Sequence, residues 1–264
     1  MLYPRLIPSL LVNEKQELVK TICFKDRNYL GEPLNTAYIF SAFEADELLV
    51  LDIDASKNKK CISLDFVKSL STFTKVPLTV GGGISNLDQI YEILSLGVER
   101  IALSSALNDN FRLLKNAANS YGSSSISVIV NTYRDNIGKL MACFGRPEFS
   151  GKFYPVNEIC KKCEDFGAGE IIINHIDHEG TRKGFDVNLM QDLNKKISVP
   201  LVALGGCGSK EHISDLLKKT PISGISCGTF FVYAPETSQV LLNYTSTSTW
   251  LKENSKQFIE IHQK

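Results

Sequence analysis

Val80-Gly81-Gly82-Gly83-Ile84 and Leu204-Gly205-Gly206-Cys207-Gly208 are two glycine runs that each follow a short apolar segment. An offset of 123 residues carries Gly82-Gly83 onto Gly205-Gly206. The same offset carries Glu47-Leu48-Leu49-Val50 onto Glu170-Ile171-Ile172-Ile173, Asp54 onto Asp177, and Pro77-Leu78 onto Pro200-Leu201. It also carries the Ile101–Ser105 stretch onto Gly224–Gly228. One spacing shared by four separate segments is an internal repeat of strand-plus-loop units. On either side of the glycine runs, β-branched runs near 5–11, 47–53, 77–81, 100–104, 126–131, 169–175, 200–204 and 223–227 alternate with amphipathic stretches such as Leu87–Leu96 and Leu189–Lys196. Strands too apolar to be half-exposed, each followed by a helix, predict an α/β fold with a closed parallel sheet. The expected architecture is a single (β/α)₈ TIM barrel over residues 1–264, with similar half-barrels over about 1–122 and 123–245 and a C-terminal extension over 246–264. An open doubly wound sheet is the alternative. Long connections over 12–32 and 132–154 are expected to carry chemistry, because loops after barrel strands do so.

The 264 residues are 43% hydrophobic and 22% charged, enough for a sizeable core in one barrel. Acids and bases balance at 29 each, which argues against a nucleic-acid or anionic-membrane partner. With neither a spanning apolar run nor a leader pattern, a cytoplasmic location is expected. Seven scattered cysteines fit free thiols better than a disulfide framework.

Each glycine run closes a predicted strand, and each following strand ends in small residues, Ser104-Ser105-Ala106 and Cys227-Gly228-Thr229. Absent side chains let an anion approach the backbone, where N–H groups at a helix start bind it. Two phosphate sites are therefore expected, at Gly82, Gly83, Ser104 and Ser105 and at Gly205, Gly206 and Gly228. Their ligand would be a small molecule with two phosphates, or a long one with a phosphate at one end. Tight βα turns alone are the plainer reading of the same glycines.

The glycine runs, Gly167-Ala168-Gly169-Glu170 and Asp177-His178-Glu179-Gly180-Thr181 resemble the HisF family, the cyclase subunit of imidazole glycerol phosphate synthase. The resemblance runs from Arg5 to about Phe231 and adds Gly180 to the phosphate-binding set. It implies a barrel that takes ammonia from a HisH-like glutaminase subunit and joins it to a bisphosphorylated substrate, with aspartates at the ends of the first and fifth strands as general acid and base. The matching positions are Leu11 and Asn131. Leucine carries no proton and an amide does not cycle one near neutral pH, so cyclase chemistry is expected to be absent or crippled. The resemblance also implies an ammonia gate at the N-terminal mouth, matched by Arg5, Glu47, Arg100 and Glu170, with arginine replacing lysine at the third position. These four could pair into a closed ring; solvated strand-start charges are the bland alternative. Lys20 matches a lysine on the substrate loop.

Asp52, Asp54 and Asp177 close strands and are the remaining catalytic candidates, although they could simply brace loops. His175 and His178 lack a third ligand nearby, so no metal is expected, nor any cofactor. Cys160-Lys161-Lys162-Cys163 lies in a helical stretch without a second pair, and zinc or redox use is not expected. Trp250 has no assigned role. Leu10-Leu11 and the Phe231–Tyr244 ending resemble a subgroup associated with amidation of bacterial surface sugars, acetamido to acetamidino. That resemblance implies an ammonia-conducting subunit working with a glutaminase and a sugar amidotransferase. A genuine histidine-pathway cyclase and a non-catalytic phosphometabolite-binding protein are the alternatives.

Overall fold

The computed structural model describes residues 4–234, 237 and 239–244; Trp250 and the expected extension lie outside them. In chain order, β1 (Arg5–Val12) leads into a hairpin of β2 (Leu18–Ile22) and β3 (Lys25–Gly31), then α1 (Pro33–Ala42). Next come β4 (Leu48–Asp52), α2 (Leu64–Phe73), β5 (Leu78–Gly81), α3 (Leu87–Ser95), β6 (Arg100–Leu103) and α4 (Phe111–Tyr121). β7 (Ile126–Arg134) turns back into β8 (Leu140–Cys143), the single turn α5 (Pro147–Ser150) and β9 (Tyr154–Pro155). The chain continues through α6 (Val156–Asp165), β10 (Glu170–His175), α7 (Val187–Asn194), β11 (Leu201–Leu204), α8 (Lys210–Lys219), β12 (Gly224–Cys227) and α9 (Thr229–Val232).

Eight strands pair in parallel in the order β1-β4-β5-β6-β7-β10-β11-β12, and β12 pairs with β1 to close the barrel. The α/β fold is a single (β/α)₈ TIM barrel. Alternation along the strands separates two cores. Leu6, Leu48, Val50, Leu78, Val80, Ile101, Ile126, Ile171 and Ile225 face outward and pack with the helices. Ile7, Leu49, Ala102, Ile129, Ile172, Val202 and Leu204 face inward and fill the lumen. Helix starts are set by side-chain caps: Ser63 for α2, Asn86 for α3 and Asp186 for α7 each accept from a backbone N–H in the first turn.

Two features depart from eight plain units. Both long connections are structured, the first as the antiparallel β2–β3 hairpin and the second as the β8–β9 excursion. Among the described residues β12 is followed by only the four-residue α9. Residues 239–244 form a strap tied back by Leu241 N–H to Val232 O (2.8 Å) and Asn243 N–H to Phe231 O (3.0 Å). At its end the Tyr244 hydroxyl donates to Leu6 O and accepts from Asp46 N–H, and its ring packs beside Phe40 and Phe231.

Candidate functional site

The C-terminal ends of the strands surround a cavity of about 640 Å³. Its wall includes Leu11, Lys20, Asp52, Gly82, Gly83, Ser104, Ser105, Asn131, Asn174, Glu179, Gly180, Gly205, Gly206 and Gly228. Residues far apart in sequence therefore share one concave site at the end of the barrel where such folds hold their chemistry.

At the first glycine corner, Gly82 (φ +137°) and Gly83 (φ +63°) adopt conformations that side chains resist. A Cβ on Gly83 would meet Lys60 O at 1.8 Å. Ser56 and Ser105 share a hydroxyl hydrogen bond of 2.7 Å, and Lys57, Lys59 and Lys60 bring positive charge to the wall. Ser104 is already committed: its hydroxyl donates to Ile129 O and accepts from Gly145 N–H, both at 2.9 Å. Asp52 accepts from Asp54 and Ala55 N–H at 2.9 Å each. Burial pushes its pKa above the usual aspartate value despite those donors.

At the second corner, Gly205 and Gly206 have φ of +95° and +103°. A Cβ on Gly206 would meet Gly184 O at 2.0 Å, and one on Gly180 would meet Thr21 O at 2.2 Å. Gly228 makes room for a cation: its Cβ would lie 1.8 Å from Lys20 Nζ. Lys20 is 5% exposed. Burial holds its pKa below the usual lysine value, against the opposing pull of Glu179. Glu179 is equally enclosed; its Oε2 accepts from Thr21 Oγ1 (2.9 Å) and Phe24 N–H (3.3 Å), while its Oε1 has no partner.

Between the corners, Leu11 presents only hydrocarbon. Asn131 Nδ2 donates to Gly145 O at 2.6 Å, and Asn131 Oδ1 accepts from Asn174 Nδ2 at 2.9 Å. Asp54 and Asp177 stand outside this wall. Arg27 grips Asp54 with both guanidinium nitrogens at 2.6 and 2.5 Å. That hydrogen-bonded pairing holds the carboxyl below the usual aspartate range despite some burial. Asp177 accepts from Arg134 N–H at 2.7 Å.

At the opposite end, Arg5 pairs with both Glu47 and Glu170, and Arg100 reaches Glu47 at 3.1 Å. Thr79 and Ser127 hydroxyls satisfy the outer oxygens of the two glutamates. The cluster is an open chain rather than a closed ring: among the described residues no Arg100–Glu170 pair forms, because Glu170 is occupied by Arg5 and Ser127. Burial raises the Glu47 pKa, chiefly against the pull of Arg5. For Arg5, burial works the other way, and the two carboxylates more than offset it.

Residues 5–237 match the model of a family described as histidine biosynthesis protein. The chain belongs to that family. A Leptospira borgpetersenii protein, provisionally named imidazole glycerol phosphate synthase subunit HisF, is 39% identical over 247 residues, covering 92% of this chain and 96% of its own. A Vibrio vulnificus protein, provisionally named subunit hisF3 of the same synthase, is 37% identical over 248 residues, covering 94% and 95%. A Bacillus cereus imidazole glycerol phosphate synthase subunit HisF is 31% identical over 239 residues, covering 90% and 94%.

In this HisF-like barrel the structure gathers Lys20, Asp52 and every glycine and serine expected to hold phosphate around one cavity, and gathers Arg5, Glu47, Arg100 and Glu170 at the other mouth. It leaves Asp54 and Asp177 in loop-bracing contacts. Sequence reading passed over Glu179 and Asn174, whose signal was position: both lie on the inward side of the chain at or just beyond β10. His175 Nδ1 lies 3.0 Å from Thr132 Oγ1, and His178 Nδ1 lies 2.7 Å from Gly184 O. Among the described residues no group of three His, Cys, Asp or Glu side chains is placed to hold a metal. Cys160 and Cys163 are buried in α6, and burial pushes the Cys160 thiol up to about 12, away from thiolate chemistry. No helix among the described residues is long and apolar enough to cross a membrane.

Proposed function

We propose that this chain is the synthase subunit of a glutamine-dependent amidotransferase system, conducting ammonia from a HisH-like glutaminase to a sugar amidotransferase. The acceptor is a bacterial surface-sugar precursor, whose acetamido group becomes acetamidino. The observation that carries the reading is the pair Leu11 and Asn131: hydrocarbon at one position and a doubly hydrogen-bonded amide at the other. Neither moves a proton, so a cyclisation that needs an acid and a base there has no agent. What supports conduction is the buried ion-pair chain at the N-terminal mouth below an apolar lumen of Ile7, Leu49, Ile129, Ile172 and Val202. Such a lumen favours neutral ammonia over ammonium.

A phosphorylated ligand at the two glycine corners belongs to the same proposal, supported by Lys20 beside Gly228 and the lysines beside Gly83. So do two similar half-barrels, over about 1–122 and 123–245. Their support is that Gly82 packs on Asp52 as Gly205 packs on His175, at the same 123-residue offset.

A genuine cyclase is the second reading, favoured by Glu179 in the cavity wall, whose buried Oε1 has no partner. Ammonia supplied with the bisphosphorylated histidine-pathway intermediate separates the two. Each replaced acid or base costs about 10²–10⁴-fold, so turnover is expected at background. Turnover like that of an ordinary cyclase subunit would reject the ammonia-conducting reading, and its loss in Glu179→Gln would establish the second.

A further inference from the structure

We propose that Asn131 and Asn174 form a non-titrating seat for ammonia at the upper exit of the lumen, with Asn174 Oδ1 as the accepting atom; this rests on the ammonia-conducting reading. The orientation of both amides follows from one fixed point. The Gly145 carbonyl can only accept, so the Asn131 amide must turn its Nδ2 toward it. Asn131 Oδ1 then faces Asn174, which must supply its own Nδ2. That leaves Asn174 Oδ1 as a buried acceptor without a partner, on a side chain only 6% exposed. Burying an unpaired acceptor is costly, about 1–3 kcal/mol in proteins, so the site calls for a donor. Gly205 keeps a side chain off that oxygen, since a Cβ there would sit 3.1 Å from it.

The donor's chemistry follows from where the oxygen sits. Glu170, Ile172 and Asn174 are alternate residues of β10 and share its inward side, each pair about 7 Å apart along the strand. A single strand therefore runs from the ion-pair chain, past the apolar lumen, to the open amide. Ammonia has three N–H donors and a lone pair that must stay unprotonated to attack an acceptor. An amide oxygen accepts an N–H without offering an acidic proton. At a seat that only passes ammonia on, a carboxylate at either position would favour ammonium and hold it as an ion pair. Amides at both 131 and 174 follow from that requirement.

The test uses the isolated barrel and the complete system. In the isolated protein, the side-chain amide NMR signals of Asn131 and Asn174 are followed while ammonia is added at alkaline pH, with potassium chloride at matched pH and ionic strength as control. Saturable shifts with ammonia alone are expected, and lost in Asn174→Ala; no shift, or equal shifts with salt, overturns the seat. In the system reconstituted with glutaminase and sugar amidotransferase, amidated sugar is counted per glutamate released. Asn174→Ala and the isosteric Asn174→Asp are expected to lower that ratio about five-fold. Asn157→Ala, which removes an unpartnered amide oxygen on α6, leaves it unchanged. A wild-type ratio near zero would reject ammonia conduction while the NMR result still decides the seat; wild-type coupling with an undiminished Asn174→Ala would reject the seat alone.

Discussion

Gly228 has a φ of −99°, which any residue adopts, so its missing side chain serves space rather than backbone freedom. The space is filled by the ammonium of Lys20. Gly228→Ala is expected to displace that flexible end, keep the fold, and weaken inorganic phosphate at the second corner about ten-fold, as loss of one charge-assisted contact does. Unchanged affinity by calorimetry would remove Lys20 from that corner. His175 gives a pH signature. Burial first, and then the neighbouring His178, lower its pKa below the usual histidine value. The unfolded chain therefore binds the proton more readily, and the neutral ring stabilises the fold above about pH 6.5. That contribution is lost as pH falls through the lower folded value. Wild-type urea midpoints are expected to drop more than those of His175→Gln between pH 7.5 and pH 5; parallel curves would contradict it.

The β2–β3 hairpin shows how an element can be functional and nearly silent in sequence. Leu18 to Thr21 are buried against the barrel mouth, whereas Lys25 to Tyr29 are all exposed, with no apolar alternation to mark a strand. Its turn runs through Cys23 and Phe24 at φ of 49° and 62°, left-handed without glycine or asparagine, so the usual hairpin signal is missing. Cys23 N–H to Glu179 O and the Arg27–Asp54 pair hold it over the cavity. Arg27→Ala is expected to lower the melting temperature, since it leaves the buried Asp54 carboxylate, 7% exposed, without its bidentate partner. It should speed amide exchange at Val19 and Lys20, and equal exchange would show that the pair does not latch the hairpin. The eight barrel strands, by contrast, were readable within a residue or two, apart from β7, which runs to Arg134 rather than 131, because Ile, Val and Leu must fill both faces of a closed sheet. The glycine corners were readable from spacing alone. Glu179 was not, because a glutamate after a strand looks the same whether its oxygens are paired or open. The strap over residues 239–244 was hidden as well, since Val240-Leu241-Leu242 also suits a helix face.

At the scale of the whole molecule, one axis joins an ion-pair chain, an apolar lumen and a cavity walled by amides, glycines and lysines. Between its two ends that axis carries hydrocarbon at Leu11 and a doubly hydrogen-bonded amide at Asn131. Arg5 bridges Glu47 and Glu170 across the lower mouth, so any passage there must loosen that bridge. In the proposed function, ammonia travels along this axis to an acceptor outside the barrel. Glutamine labelled with ¹⁵N in its side-chain amide, supplied to the reconstituted glutaminase, barrel and sugar amidotransferase in a medium of unlabelled ammonium, measures that transfer directly. Amidated sugar is expected to carry mostly ¹⁵N, falling toward the medium's isotope ratio in Arg5→Ala. Sugar that carries the medium's ratio with the wild-type barrel would contradict the proposed function.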